Sequence, residues 1–242
     1  MVARKKAKAN ASGAGGLRGF YAVLAVVALV GIVAIGYAMR RGTGAATEPV
    51  ELTGVEDPRA LFAKADGVVM GDTTAPVKIV EFGDFQCPAC SSFALRTKPA
   101  VVERFVKTGR AQFIFYDFPL TAVHAHSFLA SRAARCAEAA GGPDAFWAYH
   151  DLLFSRQAEW SYERGAPIGT FTDYAEQLGL DRDAFQGCLE SDRYADVVSA
   201  NRMLGEQLGV TGTPTLIIDN RRVRNFNDID EIAELIGQEP GA

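Results

Sequence analysis

Residues 77–90 read Val-Lys-Ile-Val-Glu-Phe-Gly-Asp-Phe-Gln-Cys-Pro-Ala-Cys. The opening residues are mostly apolar and β-branched, the pattern of a buried strand, and Gly83 lets the chain leave that strand under close packing. Two cysteines then stand where a helix begins, with Pro88 in the first turn, a position that needs no backbone N–H. Cys87 therefore falls on the N-cap side and Cys90 one turn further in. Unpaired N–H groups and the positive end of the helix dipole favour a thiolate at Cys87, and such sites lower a cysteine pKa of about 8.5 by one to several units. Cys87 reads as the nucleophile of a redox site. Cys90, facing inward, reads as the resolving thiol that attacks a mixed disulfide and releases the partner. A structural disulfide or half of a four-cysteine zinc site shares this spacing, but the strand-to-helix setting favours redox chemistry.

Downstream, a helix is predicted with Phe93, Leu95, Val101, Val102, Phe105 and Val106 as its apolar groups, and Pro99 should kink or break it. Gly109 ends it, and the aromatic-rich run 111–118 reads as a strand parallel to 77–82 through a right-handed crossover. A short strand at 67–70 precedes both. From 121 to about 208 the pattern is helical, with breaks at 141–143, 165–169, 179 and 191. Thr213-Pro214 then leads into an apolar strand, 215–219, followed by a hairpin partner at 222–226 and a last helix capped by Asn227.

A strand, a Cys-Pro-x-Cys helix, a long helical insertion and a Gly-Thr-Pro before a late strand resemble the DsbA-like thiol:disulfide oxidoreductases of the thioredoxin superfamily, over residues 67–238. The resemblance implies an α/β, thioredoxin-like fold with a helical cap inserted at about 121–208. It implies that Glu81, six residues before Cys87, is the buried acid of that family, and that Pro214 is its cis-proline, although Glu81 also reads as an edge-strand acid and Pro214 as a trans proline starting a strand. A carboxyl buried on a central strand has a raised pKa, which suits a relay for the Cys90 proton. In the family the backbone at the position of Thr213 pairs with substrate as an added strand. Pro88 and Ala89 would tune the site, and Ala89 departs from the Cys-Pro-His-Cys of the strongest oxidases. The implied activity is exchange of the Cys87–Cys90 disulfide with cysteine-containing secreted or envelope proteins, most readily as an oxidase in disulfide formation, with a quinone-linked membrane protein to recycle the site and no cofactor. A reductase or isomerase uses the same motif, though the superfamily's isomerases carry a dimerisation domain for which this chain has no room. From another class, a redox-silent peptide-binding or holdase module would use the groove beside Pro214, but two thiols in the motif argue against it.

Cys136 and Cys188 lie in helical patterns of the insertion. Outside the cytoplasm they are expected to bridge two helices, as a second disulfide does in some members of the family, and neither has the CxxC partner a zinc site needs. His124 and His126, two apart on a helix, would point to different faces, so they are read as solvated helix-start residues and not as metal ligands. Phe146, Trp147, Tyr149 and Trp160 are read as cap core.

Residues 20–39 are twenty without a charge, about 30 Å as a helix, long enough to span a membrane. Five basic residues precede the run and two follow. The positive-inside bias thus makes 1–19 a cytoplasmic tail, 20–39 a single-pass transmembrane signal-anchor and 40–66 a linker to an extracytoplasmic body, periplasmic or extracellular. A cleaved signal peptide ending at Gly44-Ala45-Ala46 is the alternative; length and Arg40-Arg41 favour the anchor. No cysteine near the run marks a lipoprotein. Residues 1–41 hold seven of the 25 Lys and Arg and none of the 29 acids, leaving the other 201 residues a net −11. An acidic body argues against a nucleic-acid partner.

Overall fold

The computed structural model describes residues 21, 23–24, 26–31, 46–55 and 57–237. The chain divides into two units, Met1–Gly44 and Ala45–Ala242. In the first, the described residues between 21 and 31 are helical. The tail 1–19, most of the proposed span 20–39 and residues 40–45 lie outside the described residues, among which no helix is long and apolar enough to cross a membrane.

The second unit is built on a five-stranded sheet. Strand β1 (Val68–Met70), β2 (Val77–Gly83), β3 (Ala111–Asp117), β4 (Thr215–Ile218) and β5 (Arg221–Arg222) lie in the order β1-β3-β2-β4-β5. β2 and β3 are parallel, the crossover expected from their pattern; the other pairs are antiparallel, with Glu81 opposite Phe115 on one side and Leu216 on the other. The period of two decides what each face holds. Val77 and Ile79 enter the main core with Phe113 and Phe115, whereas Phe82 packs behind the sheet with Phe118 and Val210. Gly83 allows the closest approach: a Cβ there would lie 2.3 Å from the Phe115 ring.

The helical stretch opened by Pro88 runs as α1 (Pro88–Ser92), a wide π-type turn (Phe93–Thr97), α2 (Lys98–Val101) and a second π-type turn (Val102–Val106). Pro99 neither breaks nor ends it. The wide turn closes at Lys98, whose N–H reaches the Phe93 carbonyl, and the proline follows at the start of α2, where its missing donor is tolerated.

The insertion comprises α3 (Ser127–Ser155), α4 (Gln157–Trp160), α5 (Ile168–Gln177), α6 (Arg182–Glu190) and α7 (Ala195–Gln207). The break read at 141–143 is a kink within α3, with Gly142 at φ 76°. Phe146, Trp147, Tyr149 and Trp160 are buried. A Cys136–Cys188 disulfide joins α3 to α6.

In the stretch read as a linker, whose pattern also allows a short helix at about 58–64, the described residues of 46–66 are docked on the body. A short helix, Pro58–Lys64, buries Leu61, which packs with Val55 against Ala200 of α7. Val50 N–H donates to Ser199 Oγ, Asp66 N–H to Asn201 Oδ1, and Arg132 to the Ala46 carbonyl. Tertiary contacts thus hold a segment whose composition reads as loop. At the other end β5 is shorter than the strand read at 222–226. The final helix, α8 (Ile229–Gly237), follows Asp228, whose carboxylate accepts from the N–H groups of Asp230 and Glu231, the role assigned above to Asn227.

Candidate active site

β2 ends at Gly83, and four residues later Cys87 caps α1 with extended backbone (φ −74°, ψ 122°) and Pro88 in the first helical turn. Both thiols are free, and both are buried. The Cys87 thiol donates to the Thr213 carbonyl at 3.4 Å, across the cis Thr213–Pro214 peptide, so the two motif halves 126 residues apart meet at one sulfur. The Cys87 pKa falls from 9.0 to about 6. The Cys90 thiol is the largest cause; Thr213 and the N–H groups of Ala89 and Cys90 add to it, against the cost of burial. Cys90 moves the other way: full burial, then the charge and hydrogen bond of Cys87, push its thiol well above 9.0. One nucleophile and one poor leaving thiolate stand side by side.

Glu81, fully buried on the central strand, is raised from 4.5 to about 8, chiefly by loss of solvent, with Lys98 opposing. Neither carboxyl oxygen has a hydrogen-bond partner among the described residues. It is therefore a neutral acid at neutral pH, with its charge coupled to Cys90.

Three residues absent from the sequence reading hold the turn. Asp84 is fully buried; its carboxylate accepts from Gln86 N–H (2.7 Å), Leu120 N–H (2.8 Å) and His124 Nδ1 (2.7 Å), while its carbonyl takes the Cys87 N–H and its own N–H points at Cys90 Sγ (3.5 Å). Gln86 donates to the Ser161 carbonyl and accepts from His126 N–H, and Gln157 Nε2 donates to the carbonyls of Phe85 and Cys87. The cysteine loop is thus bolted to the cap at both sides. His124 and His126 accordingly differ from the solvated reading. His126 is buried against the Glu163 carbonyl, and His124 is raised above its ordinary 6.5 by the hydrogen bond to Asp84, with the Cys87 charge contributing. Among the described residues no cluster of three metal-binding side chains occurs. A cleft of about 560 Å³, lined by Gln86, Pro88, Val123, His124, Gln157 and Tyr162, opens beside the turn. Only the acid three residues before Cys87 marked this arrangement in the sequence; its cap partners, Leu120 and His124, lie 36 and 40 residues away.

Over residues 63–238 the chain matches the family described as thioredoxin. It is 30% identical over 174 residues to disulfide bond formation protein D of Bacillus subtilis, an alignment covering 71% of this chain and 76% of that protein. It is also 38% identical over 169 residues to Na(+)/H(+) antiporter NhaA 1 of Salinispora arenicola, covering 69% of this chain but only 24% of the antiporter's length. Among solved structures, oxidised BdbD from Bacillus subtilis superposes with a TM-score of 0.64 and 26% identity, over 80% of this chain and 96% of that one.

Proposed function

The chain belongs to the thioredoxin family, among its DsbA-like thiol:disulfide oxidoreductases, and from that premise we propose that it is a membrane-anchored oxidase that passes its Cys87–Cys90 disulfide to secreted or envelope proteins. The observation that carries the reading is the contrast between the two sulfurs: Cys87 is acidic and faces the Thr213 carbonyl, whereas Cys90 is sealed beneath it beside a neutral carboxylic acid.

In the oxidising direction a substrate thiolate attacks Cys87 Sγ and the Cys87–Cys90 bond breaks. Cys90 leaves with the electron pair and takes the Glu81 proton, since a bare thiolate buried there is costly. A second substrate thiolate then attacks its own sulfur in the mixed disulfide and Cys87 departs as the stabilised thiolate. The substrate loses two electrons and the cysteine pair gains them. Thr213, whose carbonyl faces Cys87 Sγ, would align the substrate backbone. The uncharged run 20–39 behind a basic tail supports an anchor with the body extracytoplasmic, and a quinone-linked membrane protein is the proposed recycling partner. Ala89 supports the runner-up, a reductase or isomerase: its side chain offers the Cys87 thiolate no hydrogen bond, which makes the disulfide a milder oxidant.

Cys90→Ser tests the assignment. Cys87 should still attack but no longer resolve, so mixed disulfides with client proteins accumulate and disappear on reduction. A variant that captures nothing while the parent exchanges would reverse the roles of the two thiols.

A further inference from the structure

Behind the redox pair the main core holds charge in apolar surroundings. His150 is fully buried, boxed by the rings of Phe85, Phe115, Phe146, Trp147 and Phe154 at centroid distances of 4.8–6.2 Å. Lys98, 3% exposed, places Nζ 3.3 Å from His150 Nδ1, 2.7 Å from Asp151 Oδ1 and 4.9 Å from the Trp147 ring centre. Asp151 is the outer end of the chain, its side chain 59% exposed. Glu81 meets the other side of this aromatic box through Phe115, its partner across the β2–β3 pair. A Cβ at Gly83 would lie 3.2 Å from Glu81 Oε1 and 2.3 Å from the Phe115 ring, so carboxyl and ring are neighbours, and the same ring is 5.1 Å from His150.

Two polar groups here lack partners among the described residues: both Glu81 oxygens and His150 Nε2. Unpaired buried groups are rare and costly, and those that persist call for an explanation. The charged and titratable groups acting on Glu81 are Lys98, Cys87 and Cys90; those acting on His150 are Lys98 and Asp151. Burial is the largest cause holding the imidazole neutral at neutral pH, its pKa lowered to about 4.

We propose that Lys98, His150 and Asp151 are the proton outlet of Glu81, returning to the buried acid from the surface the proton it gives Cys90 in each exchange. The inference rests on the acid role given to Glu81 above. When Cys90 has taken the proton, the Glu81 carboxylate recovers one from His150 Nε2–H through a bridging water. The imidazole takes one at Nδ1 from the Lys98 ammonium, and Lys98 recovers its own from solvent at Asp151. One proton enters and one is delivered. The opposite tautomer, with Nδ1–H donating to Asp151, runs the same path outward when Cys90 is deprotonated in the reverse exchange. Lys98 also offsets the charge that appears on Glu81 in transit.

The test is rapid-quench measurement of formation and release of the mixed disulfide between Cys87 of the reduced chain and a short peptide carrying an internal disulfide, where release is the attack of Cys90 as its proton passes to Glu81 and outward, across the pH range in which Glu81 titrates, on folded full-length chain. In Lys98→Met the pH midpoint of release should rise by about one unit or more, because an ammonium near the carboxyl is gone. His150→Phe, which suits the aromatic box, should slow release about tenfold or more while mixed-disulfide formation and the Cys87 titration stay as in the parent. A structural role alone would not separate release from formation. Folded variants with unmoved release rate and midpoint overturn the outlet. Should the core variants fail to fold, Asp151→Asn on the surface should still slow release, and an unchanged rate there overturns it equally. If Glu81→Gln releases as fast as the parent, the acid role itself falls and the outlet with it.

Discussion

Between Cys87 and Cys90 stand Pro88 and Ala89, neither of whose side chains donates a hydrogen bond, so the stabilisation of the thiolate comes from Cys90, Thr213 and the backbone. His124 stands nearby: its bond to Asp84 and then the Cys87 charge raise its pKa, and it shares a cleft with Pro88. His124→Asn, which keeps a donor for Asp84 but removes the charge, should raise the Cys87 pKa from about 6. Ala89→His should lower it and raise the reduction potential together, about 30 mV for each tenfold change in equilibrium. Thiolate absorbance against pH, with equilibration against glutathione, reads both; values that stay put in both variants would mean that neither residue sets the poise, which then rests with Cys90, Thr213 and the backbone. Glu81 yields a pH prediction of definite sign. Its folded pKa, about 8, stands above the ordinary 4.5, so its contribution to stability is complete below 4.5 and is lost as pH rises through 8. Glu81→Gln should remove that decline from denaturation midpoints measured across the window, and a slope unchanged by the substitution would show the carboxyl is not buried as described.

At the scale of elements, what keeps α3 and α6 together is partly covalent. The Cys136–Cys188 bridge spans a sequence separation of 52 residues, for which the chain-entropy account gives about 4 kcal/mol. Replacing both by alanine should lower unfolding free energy by up to about that amount and leave Cys87 exchange intact. Exchange lost from a still-folded double variant would put this pair in the electron path. The docked segment 46–66 belongs to the same scale. Leu61 is fully buried against the cap, so a stretch whose Gly, Thr and Pro content reads as linker is part of the fold. Its composition describes what local structure it can form, and it forms little; its position comes from α7, well over a hundred residues later.

For the whole molecule, the proposed topology makes a direct prediction: protease added outside intact cells or spheroplasts should digest the body and spare the first twenty residues, and a protected body would reverse the orientation. The sequence by itself determined the parts whose cause is local. β-Branched runs followed by a Cys-Pro-Ala-Cys turn specify β2, α1 and a helix-capping thiol within fourteen residues; Gly141-Gly142-Pro143 specifies a break wherever the helix lies; and uncharged length at 20–39 is visible without any fold. The tertiary structure decided what depends on packing between distant segments. His124 meets Asp84 only because the cap folds over the cysteine turn, 40 positions away. Lys98 meets His150 only because α2 and α3 pack around the same aromatic rings, 52 positions apart. Asp228 caps α8 instead of Asn227, and since both residue types are good caps, residue type alone does not choose between them. Hydrophobic period and turn chemistry are properties of neighbours along the chain and are written there. The partner of a buried charge is set by which elements share a core, and that follows only when the whole chain has packed.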